Sequence, residues 1–238
     1  MKILSFFLPL FILVLTGCNN KPVGQDNNIA EEYSVRYAKG FSVKKYAGYT
    51  EVSVLNPWDS TQLLQKYILV DKNKELPADL PKGTLVRTPL EKVVAYSTIH
   101  CSSLKELNSI GIVKGVCEPE YIKAKEIHEG IANGNIVVLG KASDPDIEKT
   151  LMLSPEAIFA APISGQVYGN ITKTKIPIIE TPDYTEPHPL GRAEWIRFYS
   201  LFIDKEHQAD SLFGIITKNY KEIKSLVEKE KKSPTVFT

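Results

Sequence analysis

Between Phe41 and Leu55 apolar and polar residues alternate on both sides of Ala47-Gly48, the mark of two strands joined by a tight turn. Tyr67-Ile68-Leu69-Val70 predicts a further short strand. Beyond it the pattern changes to short, wholly apolar runs separated by helical stretches. The runs are Val93 to Tyr96, Ile112 to Val116, Ile136 to Leu139, Ala157 to Ala161 and Ile176 to Ile179. Between them the spacing predicts helices near Cys101 to Ser109, Glu120 to Asn133 and Ile147 to Leu153. Strands apolar on both faces and alternating with helices indicate a parallel sheet covered on each side. The last third is helical. Pro189 to Phe202 carries Trp195, Ile196, Tyr199 and Phe202 along one face, with Pro189 suited to a first turn. Asp204 is then expected to cap a second helix reaching about Lys232, whose stripe runs from Ala209 through Leu212, Phe213, Ile216, Tyr220 and Ile223 to Leu226. Ser233-Pro234 would stop it, and Thr235-Val236-Phe237 reads as the start of another strand.

The amino terminus has a different pattern. After Lys2, Ile3 to Leu15 is an apolar run of 13 residues broken only by Ser5 and Pro9. A spanning helix needs about 20 apolar residues, so the run reads as the core of an export signal. It ends in Leu15-Thr16-Gly17-Cys18, which resembles the bacterial lipobox. The resemblance implies cleavage before Cys18 and a lipid on its thiol. Asn19 to Asn28 is polar and without period, as a flexible tether would be. Composition then adds mainly exclusions. The chain has 238 residues, with 29 Lys and Arg against 28 Asp and Glu. Loss of residues 1–17 removes only Lys2, so the mature chain balances. That leaves no basic excess to drive nucleic-acid binding through phosphates. Three cysteines are too few for a disulfide scaffold.

In an open parallel sheet, ligands bind where loops leave the carboxyl ends of the strands. On that edge the sequence places Thr98 and His100, Tyr121, Gln166 and Tyr168, and Tyr184, an inventory suited to binding more than to catalysis. His100-Cys101 invites a nucleophile reading, but adjacent side chains seldom face each other and no glycine-rich elbow precedes the cysteine. An extracytoplasmic hydrolase using this pair, or a sensory or interaction lipoprotein, stands as the alternative function. Cys101 and Cys117 fall at the ends of successive strands, where either a disulfide or two buried thiols would fit. None of His100, His128, His188 and His207 pairs with a glutamate as a zinc hydrolase requires. No phosphate loop or Gly-x-Gly-x-x-Gly occurs, and neither a metal nor a cofactor is expected.

The order of lipobox, parallel α/β region and long helix resembles the substrate-binding lipoproteins of iron-siderophore, haem and cobalamin ABC importers (class III periplasmic binding proteins). The matching segments are Asn56-Pro57-Trp58-Asp59, Asp146-Ile147-Glu148-Lys149 with Leu153-Ser154-Pro155-Glu156-Ala157-Ile158, and Pro187-His188-Pro189-Leu190-Gly191-Arg192-Ala193-Glu194-Trp195-Ile196. The last is similar to Bacteroidetes-type members. Glu156 departs from the family's usual aspartate. The resemblance implies a Rossmann-like parallel-sheet lobe with a preceding β-hairpin and a long carboxyl-terminal inter-lobe helix. It divides the chain into a signal at 1–17, a lipid-anchored tether at 18–32, a substrate-binding lobe at 33–188, a helical segment with the inter-lobe spine at 189–232, and the first residues of a second lobe at 233–238. Since the chain stops there, the expectation is a truncation without the second lobe. The implied partners are a siderophore, haem or cobalamin and an inner-membrane ABC permease, met in the periplasm, with no catalysis. Glu148 matches the family's permease-docking glutamate. No arginine cluster calls for an anionic siderophore, and Tyr121, Tyr168 and Tyr184 suit haem, a corrin or a catechol alike.

Overall fold

The computed structural model describes residues 29–164 and 168–229. Five strands form a first sheet in chain order: β1 (Ile29–Glu32), β2 (Phe41–Tyr46), β3 (Thr50–Leu55), β4 (Leu63–Asp71) and β5 (Thr84–Thr88). β1 to β4 pair antiparallel, and β5 runs parallel to β4. The second sheet and its helices follow in the order β6 (Val93–Ala95), α1 (Thr98–Glu106), β7 (Val113–Val116), α2 (Lys125–Ala132), β8 (Val137–Val138), α3 (Ile147–Leu153), β11 (Ala157–Ala160) and β12 (Ile178–Glu180), with a separate antiparallel hairpin of β9 (Gly140–Lys141) and β10 (Asp144–Pro145) between β8 and α3. Its strands are all parallel, in the order β12-β11-β6-β7-β8. Two helices follow, α4 (Pro189–Ile203) and α5 (Glu206–Val227).

The α/β reading and the hairpin at Ala47-Gly48 match the structure. The predicted parallel runs appear as strands, shorter than their apolar stretches. Three details differ. The strand at Tyr67 is nine residues long and belongs to a mixed sheet of its own, completed by β1 and β5. The second helix begins at Lys125, because Pro119–Tyr121 closes a separate 3-10 turn after β7. Asp204 does not cap α5. It takes a left-handed conformation (φ 55°) and ends α4, its N–H donating to the Ser200 carbonyl. Aspartate tolerates that region better than most side chains. α5 ends at Val227 with Glu228 as its C-cap, short of the expected Lys232, and the strand at Thr235 lies outside the described residues.

One core serves both sheets. Phe41 and Val43 point inward from β2 while Ser42 and Lys44 face out. They meet Val52, Tyr67 and Val86 of the first sheet, Phe159 and Ile179 of the second, and Trp195, Phe198, Tyr199 and Phe202 of α4. α4 is buried nearly all round in its second half. Its aromatic rings stand edge-on or tilted to one another and to Phe41, Tyr67 and Phe159. Each such side chain withdrawn from water stabilises the fold by about 1.5–3 kcal/mol. Polar ties lock the seam between the sheets. The Tyr67 hydroxyl of β4 donates to the Ile178 carbonyl at 3.0 Å and accepts from the Glu180 N–H at 2.8 Å, both on β12.

The segment 33–40 crosses α4 as a strap held by two buried carboxylates. Glu194 accepts from the N–H groups of Arg36, Tyr37 and Ala38 at 2.6–3.1 Å, and from the Arg197 guanidinium at 3.2 Å. Glu186 accepts from the N–H groups of Lys39 and Gly40 and from the Trp195 indole. Gly40 is needed here, since a Cβ at this position would lie 2.8 Å from the Trp195 ring.

Candidate functional site

The chain leaves β6 toward β7 and β8 on one side, and later returns to place β11 and β12 on the other. That reversal opens a crevice at the carboxyl ends of β6, β7 and β11. The crevice is a cleft of about 270 Å³. The link from β6 to α1 supplies Tyr96 and Ser97, and the turn after β7 supplies Glu118. Ala142 and Ser143 come from the β9–β10 hairpin, and Ala161, Ile163 and Tyr168 from the segment after β11. Glu118 has a left-handed backbone (φ 44°), its N–H donating to Gly140 O at 2.9 Å. Its carboxylate turns to the hairpin and accepts from the Ala142 N–H at 3.3 Å. Tyr168 donates to the Glu180 carboxylate at 3.0 Å. Burial raises the Glu180 carboxyl above its ordinary range, against the hydrogen bonds from Gln65 and Tyr168. Tyr96 is 3% exposed, and its hydroxyl meets no hydrogen-bond partner among the described residues. Burial, and then proximity to Cys117, raises its ionisation well above the usual phenol value.

Of the residues predicted for this edge, Tyr168 lines the cleft. Thr98 opens α1 beside it and is half-buried. Tyr184 is 46% exposed at the rim, its hydroxyl donating to Pro162 O at 2.6 Å. Tyr121 stands on the 3-10 turn after β7, 68% exposed and outside the cleft lining. Gln166 and Cys18 lie outside the described residues. Glu148 is exposed in the first turn of α3, just past the hairpin that borders the cleft.

His100 departs from the expectation of a ligand contact. It is fully buried, and its Nδ1 accepts from the Ser97 N–H at 3.2 Å, closing the start of α1. An accepting Nδ1 places the proton on Nε2, which donates to Thr181 Oγ1 at 3.0 Å. Burial pushes the imidazole down to about 3, so the ring is neutral at physiological pH. Cys101 and Cys117 are both free and buried, and the alternative of a disulfide between them is not realised. They sit in different hydrophobic clusters, Cys101 in the main core and Cys117 beneath the cleft with Tyr96. Burial pushes each thiol up to about 12. A buried thiol and a buried neutral imidazole offer no reachable nucleophile, which removes the basis for the hydrolase alternative.

The structure also brings together residues that the sequence reading passed over. Tyr96 ends an apolar run and reads as core; its place directly after the last residue of a parallel strand is the signal for an edge position. Glu118 belongs to the turn after the next strand. The Asn-Pro-Trp-Asp turn lies near the loop that follows β12, across a 180 Å³ cavity lined by Asn56, Pro57, Pro182 and Glu186 among others. Trp58 in that turn is 45% exposed. Among the described residues no group of three or more His, Cys, Asp or Glu side chains is arranged to hold a metal ion. No described helix is long and apolar enough to cross a membrane.

No protein-family model matches the chain. Among curated proteins it is 25% identical over 239 aligned residues to the uncharacterized lipoprotein MJ0878 of Methanocaldococcus jannaschii, covering 91% of this chain and 56% of that protein. It is 28% identical over 148 residues to the uncharacterized protein MJ0642 of the same organism, covering 58% of this chain and 44% of that protein. The chain thus spans about half the length of the curated relatives it matches. Among solved structures, the petrobactin-binding protein YclQ from Bacillus subtilis superposes with a TM-score of 0.53 at 18% identity, over 77% of this chain and 55% of that one. The siderophore-binding protein BauB, bound to ferric iron and two acinetobactin molecules, gives 0.50 at 17% identity, over 61% of this chain and 51% of its own. At these identities the likeness is one of architecture, and on that ground the α/β lobe with its long carboxyl-terminal helices has the fold of the periplasmic binding proteins.

Proposed function

We propose that this chain provides a solute-binding lobe of an ABC importer for an iron complex or cobalamin. The observation that carries the reading is the cleft at the switch point of the parallel sheet, in a fold shared with siderophore-binding proteins. The lobe is assigned to 33–188 and the spine segment to 189–232. Cys18 is the lipid-bearing residue that anchors the protein to a membrane outside the cytoplasm, and Glu148 is the carboxylate presented to the permease. The lipoprotein relative supports an extracytoplasmic place. A rim carboxylate acts mainly on association rate and register, and the exposure of Glu148 at the cleft edge fits that role.

The reading is tested by titrating the purified protein, followed by tryptophan fluorescence, with five probes. They are ferrichrome, ferrioxamine B, ferric enterobactin, haem and cyanocobalamin. Saturable binding of at least one at micromolar concentration or below is expected. Absence of saturable binding across the panel sinks the assignment.

A further inference from the structure

A groove of about 370 Å³ lies away from the sheet edge, between the strap and α5. Ser34, Arg36 and Tyr37 reach it from the strap, Arg197 from α4, and Phe213 and Lys221 from α5. Arg197 is already matched. Its guanidinium donates to Asp210 at 2.6 Å, to Ser34 O at 2.6 Å and to Glu194 at 3.2 Å, and its centre lies 4.6 Å from the Tyr33 ring. It is a fixed wall with two carboxylates against its charge. Arg36 and Lys221 differ from it. Both are exposed, and neither side chain has an ion pair or hydrogen bond among the described residues. The Arg36 main chain is nonetheless pinned, because its N–H donates to Glu194 at 2.9 Å. Two free cations brought to one groove from different elements favour an anion there. Ser34 adds a hydroxyl, and Tyr37 and Phe213, edge to face at 5.9 Å, add apolar surface.

We propose that this groove binds a phosphate group through Arg36, Lys221 and the Ser34 hydroxyl, and that the phosphate is the headgroup of an anionic phospholipid in the membrane that carries the anchor. The choice of a lipid source rests on the lipidation of Cys18 proposed above, whereas the phosphate chemistry rests on the groove alone. A guanidinium meets phosphate oxygens with paired donors and an ammonium meets them as a point charge. The aromatic wall suits the glycerol beside a headgroup phosphate. Position favours the bilayer as its source. Ile29 opens β1 eleven residues after Cys18, a length that spans at most about 40 Å, and the strap is the next segment of chain. A lipid on Cys18 therefore holds the groove at high effective concentration near headgroups, where each basic side chain is drawn to an anionic surface.

The test uses residues 18–238 expressed without the signal and so without lipid, which retains every described residue. Sedimentation with vesicles should show at least about tenfold tighter binding to phosphatidylglycerol than to phosphatidylcholine. The double variant Arg36→Gln with Lys221→Gln should lose at least about fivefold on phosphatidylglycerol. Lys82→Gln with Lys123→Gln, the same charge change at two exposed lysines outside the groove, should lose less than about twofold. Equal losses in the two double variants would reduce the attraction to overall charge and overturn the site. A calorimetric titration with inorganic phosphate separates the sources. Saturable phosphate binding that the groove variant abolishes, without preference between the vesicles, overturns the lipid headgroup and assigns a soluble phosphate. Neither phosphate binding nor a vesicle preference overturns the proposal whole. The mass of the mature protein purified from membranes tests the anchor separately: an unmodified Cys18 removes the lipid source and leaves the solute-binding reading standing.

Discussion

The strap at 33–40 and the cleft at the end of β6 both bury polar groups, but they treat them in opposite ways. In the strap, Glu194 and Glu186 are saturated: backbone N–H groups, a guanidinium and an indole converge on their carboxylates. Charge-assisted bonds of this kind are about twice as strong as neutral ones and fix a single geometry. In the cleft, Tyr96 has no partner among the described residues. Glu180 is left with a raised carboxyl, and Glu118 spends one weak bond on the hairpin. The first arrangement resembles a joint, complete within the protein. The second is incomplete among the described residues.

The comparison is sharpest where breaking the joint costs most. Glu194→Ala should destabilise the fold by about 3 kcal/mol or more, since it orphans three backbone donors and leaves Arg197 without one of its carboxylates. Urea unfolding reads this directly, and a loss below about 1 kcal/mol would show that the strap contributes little to stability. It would then not differ from the cleft in the way described.

Between the two regions lies a pair of groups with opposite proton linkage. His100 is held at about 3 against an ordinary 6.5, so the unfolded chain binds the extra proton in that interval and stability falls as the pH drops through it. Asp183 is raised by burial to about 6 from 3.8, so the folded chain keeps the proton and stability falls as the pH rises from 3.8 to 6. Over roughly pH 4–6 the two slopes oppose, each at most about 1.4 kcal/mol per pH unit. His100→Gln should therefore shift the slope of stability against pH toward loss on alkalinisation, and Asp183→Asn toward loss on acidification. Urea midpoints measured from pH 4 to 6.5 check both, and identical slopes in the two variants would contradict the assignment.

The smallest stability effect belongs to the exposed rim. Glu148→Ala should leave the unfolding midpoint within about 0.5 kcal/mol of the parent and leave ligand affinity unchanged. If Glu148 registers the permease, the same variant lowers ligand-stimulated ATP hydrolysis by the reconstituted importer. Unaltered stimulation would remove it from the docking surface.

Much of the parallel sheet is legible in the sequence because its strands are buried on both faces and read as apolar blocks. β5 is harder to see: Thr84-Leu85-Val86-Arg87-Thr88 is short, sits between Pro81 and Pro89, and has only Val86 buried. The first sheet as a separate unit is equally hidden, since a register between distant strands leaves no local period. Loop position brings Tyr168 to the cleft lining, while Tyr184 stands outside that lining with its hydroxyl on Pro162 O. Position alone misplaces His100, because imidazole in a helix's first turn serves the helix as readily as a ligand, and only burial separates the two. The role of Glu194 is not readable either. A glutamate one residue from a tryptophan on an amphipathic helix reads as solvated until the strap that covers it is in place.

The strap also decides how the molecule bears load. Any pull on the amino terminus, whether from a membrane tether or from an attached surface, travels through β1 and then along residues 33–40. There it is met in shear by the amides seated on Glu194 and Glu186, and passes into α4 and the aromatic core behind Trp195 and Phe198. The cleft lies on a different branch of the structure, at the ends of β6, β7 and β11, and carries none of that force on its direct path. A protein built this way can be held by one end, and tugged, without the edge that carries its cleft being drawn out of shape.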